Sequence, residues 1–415
     1  MGNWPMLQIR GVCACVLLLS ILARTISAIN SEPTRELRAE VVLKVRPDDA
    51  PTREGFEHFY NTDYDAAIRD FERAQKAHPD DPFAVNHLLQ AVLVRELDRE
   101  GAIDAQLYMG TEFLQTKNIS IGPQARSRIQ ELTAHALSLS EQRLKANPKD
   151  TDALYARGVT KALHAIYAGL VEKAWFSALR GALSASHDHQ YVLELSPGYA
   201  DAKLVVGVYN YIVAALPLYA KIAAFFLTIT GSRTRGIEDS RQAANGGGEA
   251  SIDAKTALSL FLAREHQYPE AVSLMRELYR AYPRNFHFGL SEADLLRASG
   301  SLPEAVAAYW KLLALGQQGM FPKGHLGQAA YALGQALRFQ TDYRAAAEAF
   351  ESADQMSKGN DEQAAKAKLS VGKMYDLLQE RDLAMTKYRE VIATGRDSSE
   401  AKEARRLLKQ PYRNP

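Results

Sequence analysis

Cysteine is nearly absent from this chain. Of 415 residues two are cysteines, Cys13 and Cys15, and both lie in an N-terminal apolar run. Without that run the chain has no thiol, which excludes disulfides and thiolate metal sites. A thiol-free exported chain suits an oxidising compartment, where a stray thiol is a liability. An excess of charge is also missing. Fifty Lys and Arg stand against 49 Asp and Glu, a net charge of +1 that leaves no nucleic-acid footprint. Catalytic signatures are lacking too. There is no Gly-x-Ser-x-Gly and no His-Glu-x-x-His, and Gly246-Gly247-Gly248 has no Lys-Ser/Thr behind it to hold phosphate. His187 and His189 sit two apart, about 200° around a helix, so they cannot share one ion. They read as polar residues near a helix end. His266, His287 and His325 are scattered over three segments without a nearby acid or cysteine and read as groove or surface residues. No enzyme activity, cofactor or metal is expected.

The N-terminus has the three parts of a secretory signal peptide: Arg10, the apolar Gly11 to Leu22, and small Ser27-Ala28 before a polar run. The apolar run, about 12 residues, is short for a membrane span. Residues 1–28 are therefore read as a cleaved signal, with an uncleaved anchor as the alternative. Their loss removes two arginines and no acid, leaving a net charge of −1. The chain is expected to be periplasmic or extracellular.

With 47 % hydrophobic residues, what is present is helical periodicity. In Gln328 to Ala353, Leu333, Gly334 and Leu337 share one helical face. After the polar break at Gln340-Thr341-Asp342, Tyr343, Ala346, Phe350 and Ala353 recur every three or four residues. These are two short amphipathic helices, small where they must touch. The unit resembles the tetratricopeptide repeat, with its Leu-Gly pair in one helix and small-aromatic-small pattern in the next. Similar units run over Gly55 to Pro79, Ile252 to Pro283, Phe286 to Leu313 and Ala364 to Val391. The small residues Ala271, Ala305, Ala346 and Ala384 are spaced 34, 41 and 38 apart. The first spacing is the tetratricopeptide period. The expected fold is all-α, a solenoid of stacked helix hairpins curved around a concave groove. The expected divisions are 29–150, 151–245, 246–398 and a capping helix and tail at 399–415. A short helix is expected over Arg35 to Lys44, and one over Ala102 to Leu114.

Residues 204–230 form the most apolar stretch after the signal, broken by Pro217 and Lys221. The favoured reading is two repeat helices, Asp201–Leu216 and Leu218–Ile229. The alternative is a surface for membrane or oligomer contact. Gly207-x-Tyr209-x-Tyr211, Leu216-Pro217, Lys221, Phe225-Phe226 and Gly231-Ser232-Arg233 with Arg235-Gly236 are similar to the inclusion-body-clearance family of tetratricopeptide proteins. Ser232 stands where that family has an acid. The resemblance implies a helical, often membrane-associated protein. A helix is expected at Ile237 to Asn245, and the glycine triplet is read as a linker and boundary.

The expected function is an exported scaffold that binds a protein or peptide in its groove. The groove residues are taken from the first helices: Lys255, Ser259, Lys323, Gln328, Tyr331 and Lys368. Arg233 and Arg235 are candidates for an anion or a partner's carboxylate. The alternative is a membrane-associated envelope assembly factor acting through 204–230.

Overall fold

The computed structural model describes residues 43–103, 119–215, 230–357, 361–395 and 398–413. Residues 42–415 form one compact unit. The expected signal segment 1–28, most of the helices expected over 35–44 and 102–114, and that over 218–229 lie outside the described residues.

The structure is helical, as the periodicity implies. The first group is α1 (Ala50–Tyr60), α2 (Tyr64–Ala77) and α3 (Pro82–Arg99). The second is α4 (Pro123–Ala146), α5 (Thr151–Leu170), α6 (Trp175–Leu195), α7 (Ala202–Ala215) and α8 (Arg233–Ala244). The third begins with α9 (Ser251–Arg264), α10 (Tyr268–Ala281), α11 (Phe286–Ala298) and α12 (Leu302–Gln317). It ends with α13 (Lys323–Phe339), α14 (Tyr343–Met356), α15 (Asp361–Leu377), α16 (Arg381–Thr394) and α17 (Ser399–Lys409). Among the described residues the one β pairing is an isolated parallel bridge between Lys44 and Gly248.

The hairpins share one construction. Each turn places a residue in the left-handed region: Thr62, His266, Gly300, Thr341 and Gln379. Only Gly300 adopts it without steric cost. His266 is thus a turn residue. Asp63 and Asp342 then cap the second helices, their carboxylates accepting from the N–H groups of Ala66 and Ala345. Where the two helices cross, a small residue lies under an aromatic ring. A Cβ on Gly334 would stand 2.7 Å from the Phe350 ring, and one on Gly372 2.5 Å from Tyr388. Ala67, Ala271, Ala305, Ala346 and Ala384 are fully buried.

The odd-numbered helices also touch one another across the hairpins: α3 with α5, α5 with α7, α7 with α9, and α11 with α13, α15 and α17 in turn. They therefore make the inner layer of the array. The first of these runs is anchored by α3. Thirteen of its eighteen residues are buried, including Asn86, His87 and Glu96. A helix apolar nearly all round belongs inside. Its buried amide is satisfied: Asn86 donates to the Ala156 carbonyl at 2.8 Å and accepts from the Thr160 hydroxyl at 2.7 Å.

Two local readings change. Helix α8 starts at Arg233, four residues before the expected Ile237, because the Ser232 hydroxyl accepts from the Arg235 N–H and caps it. Gly207 and Gly236 then let α7 and α8 cross backbone to backbone; a Cβ on Gly236 would lie 2.8 Å from the Gly207 carbonyl oxygen. The glycine triplet is no free tether. Lys44 donates to the Gly247 carbonyl at 3.2 Å, and a Cβ on Gly248 would strike the Asp201 carboxylate. No helix among the described residues is long and apolar enough to cross a membrane.

Candidate functional site

The expected groove residues separate into two sets. Lys255 holds Glu277 of α10 at 2.5 Å and is only 13 % exposed. Ser259 is buried and donates to the Ala271 carbonyl of α10 at 3.4 Å. Lys368 reaches Asp354 of α14 at 3.7 Å. Lys255 and Ser259 are turned to the outer helix of their own hairpin, and Lys368 to that of the preceding one. Positions four apart lie on one helical face, and that face packs the hairpin. Tyr331 differs. Its hydroxyl accepts from Ser370 of α15, the next inner helix, at 3.4 Å. Gln328, three residues earlier, shares that side of α13. Lys323 begins α13.

The inner face of α13 can be followed from Gly334, which points at the outer helix. At 100° per residue, His325, Ala332 and Phe339 fall on the opposite side, with Gln328 and Gln335 on its flank. Phe339 is 54 % exposed, with the Arg338 guanidinium 4.9 Å from its ring centroid. The same reckoning from Gly372 puts Ser370 on the inner face of α15, with Lys366 and Lys373 on its flank.

The earlier inner face is occupied by the chain itself. Gln90 of α3 donates to Asp253 of α9 at 2.9 Å, and the Tyr60 hydroxyl donates to the same carboxylate at 3.3 Å. Asn285 donates to the Tyr60 carbonyl at 2.8 Å. Asp98, near the end of α3, accepts from His287 Nε2 at 2.8 Å and lies 3.8 Å from His325 Nε2. The first hairpin and α3 thus meet α9, α11 and the first turn of α13. This corrects the reading of His287 and His325 as lacking a nearby acid. Asp98 is 189 residues from His287 in sequence, so no local spacing could announce it. Burial, with His287 adding to it and Asp98 opposing, pushes the His325 pKa down.

A second cluster was invisible in the sequence. Arg46 meets Asp152 at 3.3 Å, Asp201 at 3.2 Å and Glu249 at 3.0 Å. It also hydrogen-bonds Tyr199. The rings of Phe83, Tyr155 and Tyr199 lie 4.5–5.0 Å from its guanidinium. Burial disfavours its charge, but Glu249, the tyrosines and Asp201 outweigh burial and raise its pKa. Burial and Glu249 push Asp201 up to about 6. Burial pushes Glu249 the same way, yet His87 and Arg46 hold it below the usual carboxylate range. Desolvated charges so matched fix an arrangement of elements.

His187 is exposed and His189 buried, its Nδ1 2.8 Å from the Ala185 carbonyl, on opposite sides of α6. Arg233 pairs with Glu265 at 3.1 Å, beside the Tyr211 hydroxyl. Arg235 is exposed in the first turn of α8.

The repeat geometry has a counterpart among known proteins. A family model for the tetratricopeptide repeat matches residues 52–106 and 257–319. The chain carries tetratricopeptide repeats, and proteins built of them are generally non-enzymatic scaffolds for protein or peptide partners. Solved structures with similar folds include PilF of Pseudomonas aeruginosa, 16 % identical over 63 % of this chain and 99 % of that one, with a TM-score of 0.40. Yeast Tom70 is 15 % identical over 86 % and 94 %, with a TM-score of 0.36. YrrB, a tetratricopeptide protein with an unusual peptide-binding site, is 14 % identical over 54 % and 100 %, with a TM-score of 0.36. A search of curated proteins found no match.

Proposed function

We infer that this chain is a scaffold whose partner, a peptide segment carrying acidic and apolar side chains, lies on the inner face of α13 and α15. The observation that carries this is the change along α13. At His325 the inner face meets the chain's own α3, but further on it presents Gln328, Gln335 and the exposed Phe339. An aromatic held outward by its helix is a typical anchor for a partner. Arg338 at the ring, with Lys366 and Lys373 of α15, which hold Glu362 and Glu403 of this chain at 2.7 and 3.6 Å, would offer cations to a partner's carboxylates. A photoreactive residue at Phe339 should crosslink a partner protein, and one at Trp310 on the outer helix α12 should not. The adduct should fall when Lys366 and Lys373 are changed to Glu. Equal adducts from both positions, or no effect of the charge reversal, would remove the groove reading.

The partner would be met outside the cytoplasm. The charged start, apolar run and small residues of 1–28 support this, and an N-terminal sequence of the mature protein beginning near Ile29 would test it. The membrane-associated reading draws on Ile212, 48 % exposed on α7 at the edge of the apolar stretch. Flotation of the full chain with anionic vesicles, lost in Ile212→Glu, would favour that reading over the groove.

A further inference from the structure

Asp98, His287 and His325 come from three separate inner helices, α3, α11 and α13. Their ligand atoms all lie within 4.8 Å of one another. Tetrahedral bonds of about 2.0–2.1 Å set donor atoms about 3.3 Å apart. The observed carboxylate-to-imidazole separations of 2.8 and 3.8 Å bracket that value. The two imidazole centroids are 5.0 Å apart, and each ring brings a nitrogen within 4.8 Å of the other two ligand atoms. The three side chains are 12, 14 and 20 % exposed, enough for an ion to enter and keep water on its free side.

Hydrogen bonding does not account for this convergence. Among the described residues it uses His287 Nε2 alone, since 3.8 Å is too long for His325. Both Nδ1 atoms are buried without a partner. Phe286 lies against both imidazoles, at 5.7 and 5.2 Å, and gives the centre one apolar wall. Two imidazoles and one carboxylate form a donor set for zinc, nickel, cobalt, copper or iron, and a poor one for magnesium or calcium.

We propose that Asp98, His287 and His325 bind one divalent first-row transition-metal ion, which clasps α3 to α11 and α13. Both Nε2 atoms and a carboxylate oxygen are the ligands, and water completes the shell. On binding, the His287 ring proton leaves Nε2 and the ring takes its Nδ1–H form. No carbonyl receives that N–H, so affinity should be micromolar, below that of sites with a full outer shell. The clasp would stiffen the closed end of the inner face. It is independent of what binds beyond Gln328.

Titration calorimetry of the chelator-washed full chain with ZnCl2 tests this. One ion per chain should bind, the unfolding temperature should rise with zinc, and MgCl2 should do neither. Asp98→Asn and His325→Gln should each weaken zinc binding by about tenfold or more, while His187→Gln, at an exposed position, should not. X-ray absorption at the zinc edge of the wild-type complex should show two imidazoles, a readout that no variant's folding can confuse. Absence of saturable binding at micromolar zinc, binding unchanged in the Asp98 and His325 variants, or a spectrum without imidazole would each overturn the proposal.

Discussion

Helices α1 to α3 and helices α13 to α17 obey the same hairpin rules but are surrounded differently. In the C-terminal array each helix has neighbours on part of its surface and water on the rest. α17 buries only Ala401, Ala404 and Leu407. α3 is enclosed by α2, α4 and α5, and its side chains reach α9 and α11 as well. The array can be additive, each repeat answering to its neighbours. The enclosed end cannot, because one residue there touches elements from distant parts of the chain. Arg46 illustrates this with partners at 152, 201 and 249.

Breaking the enclosed end should therefore have the largest effect. Arg46→Ala leaves Asp201 buried without its cation and Glu249 with His87 alone, and should lower unfolding free energy by about 3–5 kcal/mol. Urea denaturation measures it, and a loss below about 1 kcal/mol would mean that the cluster is incidental. Breaking the array should cost less and stay local. Gly334→Ala drives a methyl into the Phe350 ring and should cost about 1–3 kcal/mol. Hydrogen exchange should quicken in α13 to α15 and stay slow in α3. Equal loss of protection in both regions would erase the contrast.

The third test uses pH. Burial pushes Asp253 up to about 6 from an ordinary 3.8, so the folded state holds that proton more tightly than the unfolded chain. Its ionised form therefore weakens the fold above pH 6, and the penalty fades as pH falls from 6 towards 3.8. Asp253→Asn keeps an oxygen for the Tyr60 hydroxyl, and Gln90, with its amide turned over, can accept from the new NH2. It should gain on the order of 1 kcal/mol at neutral pH, an advantage that shrinks towards pH 4. His189 acts in the opposite sense. Burial lowers it from 6.5 to about 4, so stability is lost as acid protonates the unfolded chain between those values. Removing the Asp253 contribution should steepen that loss. Thermal melts from pH 4 to 8 show both slopes, and parallel curves would contradict the assignment. The smallest stability change is expected at Phe339→Ser, within about 0.5 kcal/mol because the ring is exposed. Its effect should appear in partner binding alone.

The hairpins could be read in the sequence because their determinants are local. Leu333-Gly334-Leu337 and Ala346-Phe350-Ala353 write a helix pair within 26 residues. Asp342 writes its cap. The candidate site was only partly legible. Tyr331 touches both Ser370 of α15 and Phe350 of α14, whereas Lys255, Ser259 and Lys368 face the outer helices. The reason is a rotation of about 100° per residue, which a repeat pattern fixes for the packed face only when the crossing residue is known. In α9 that residue is Ser259 itself, standing where α1, α13 and α15 have glycine.

The sequence by itself thus determined the helix pairs, their turns and their small-on-aromatic crossings, since each depends on contacts between residues a few positions apart. Only the tertiary structure decided that Arg46 joins three distant acids, and that α3 lies within the array with Asp98 meeting His287 and His325. Those contacts come from the curvature summed over many repeats, and a small rotation at each crossing leaves no mark in any one of them.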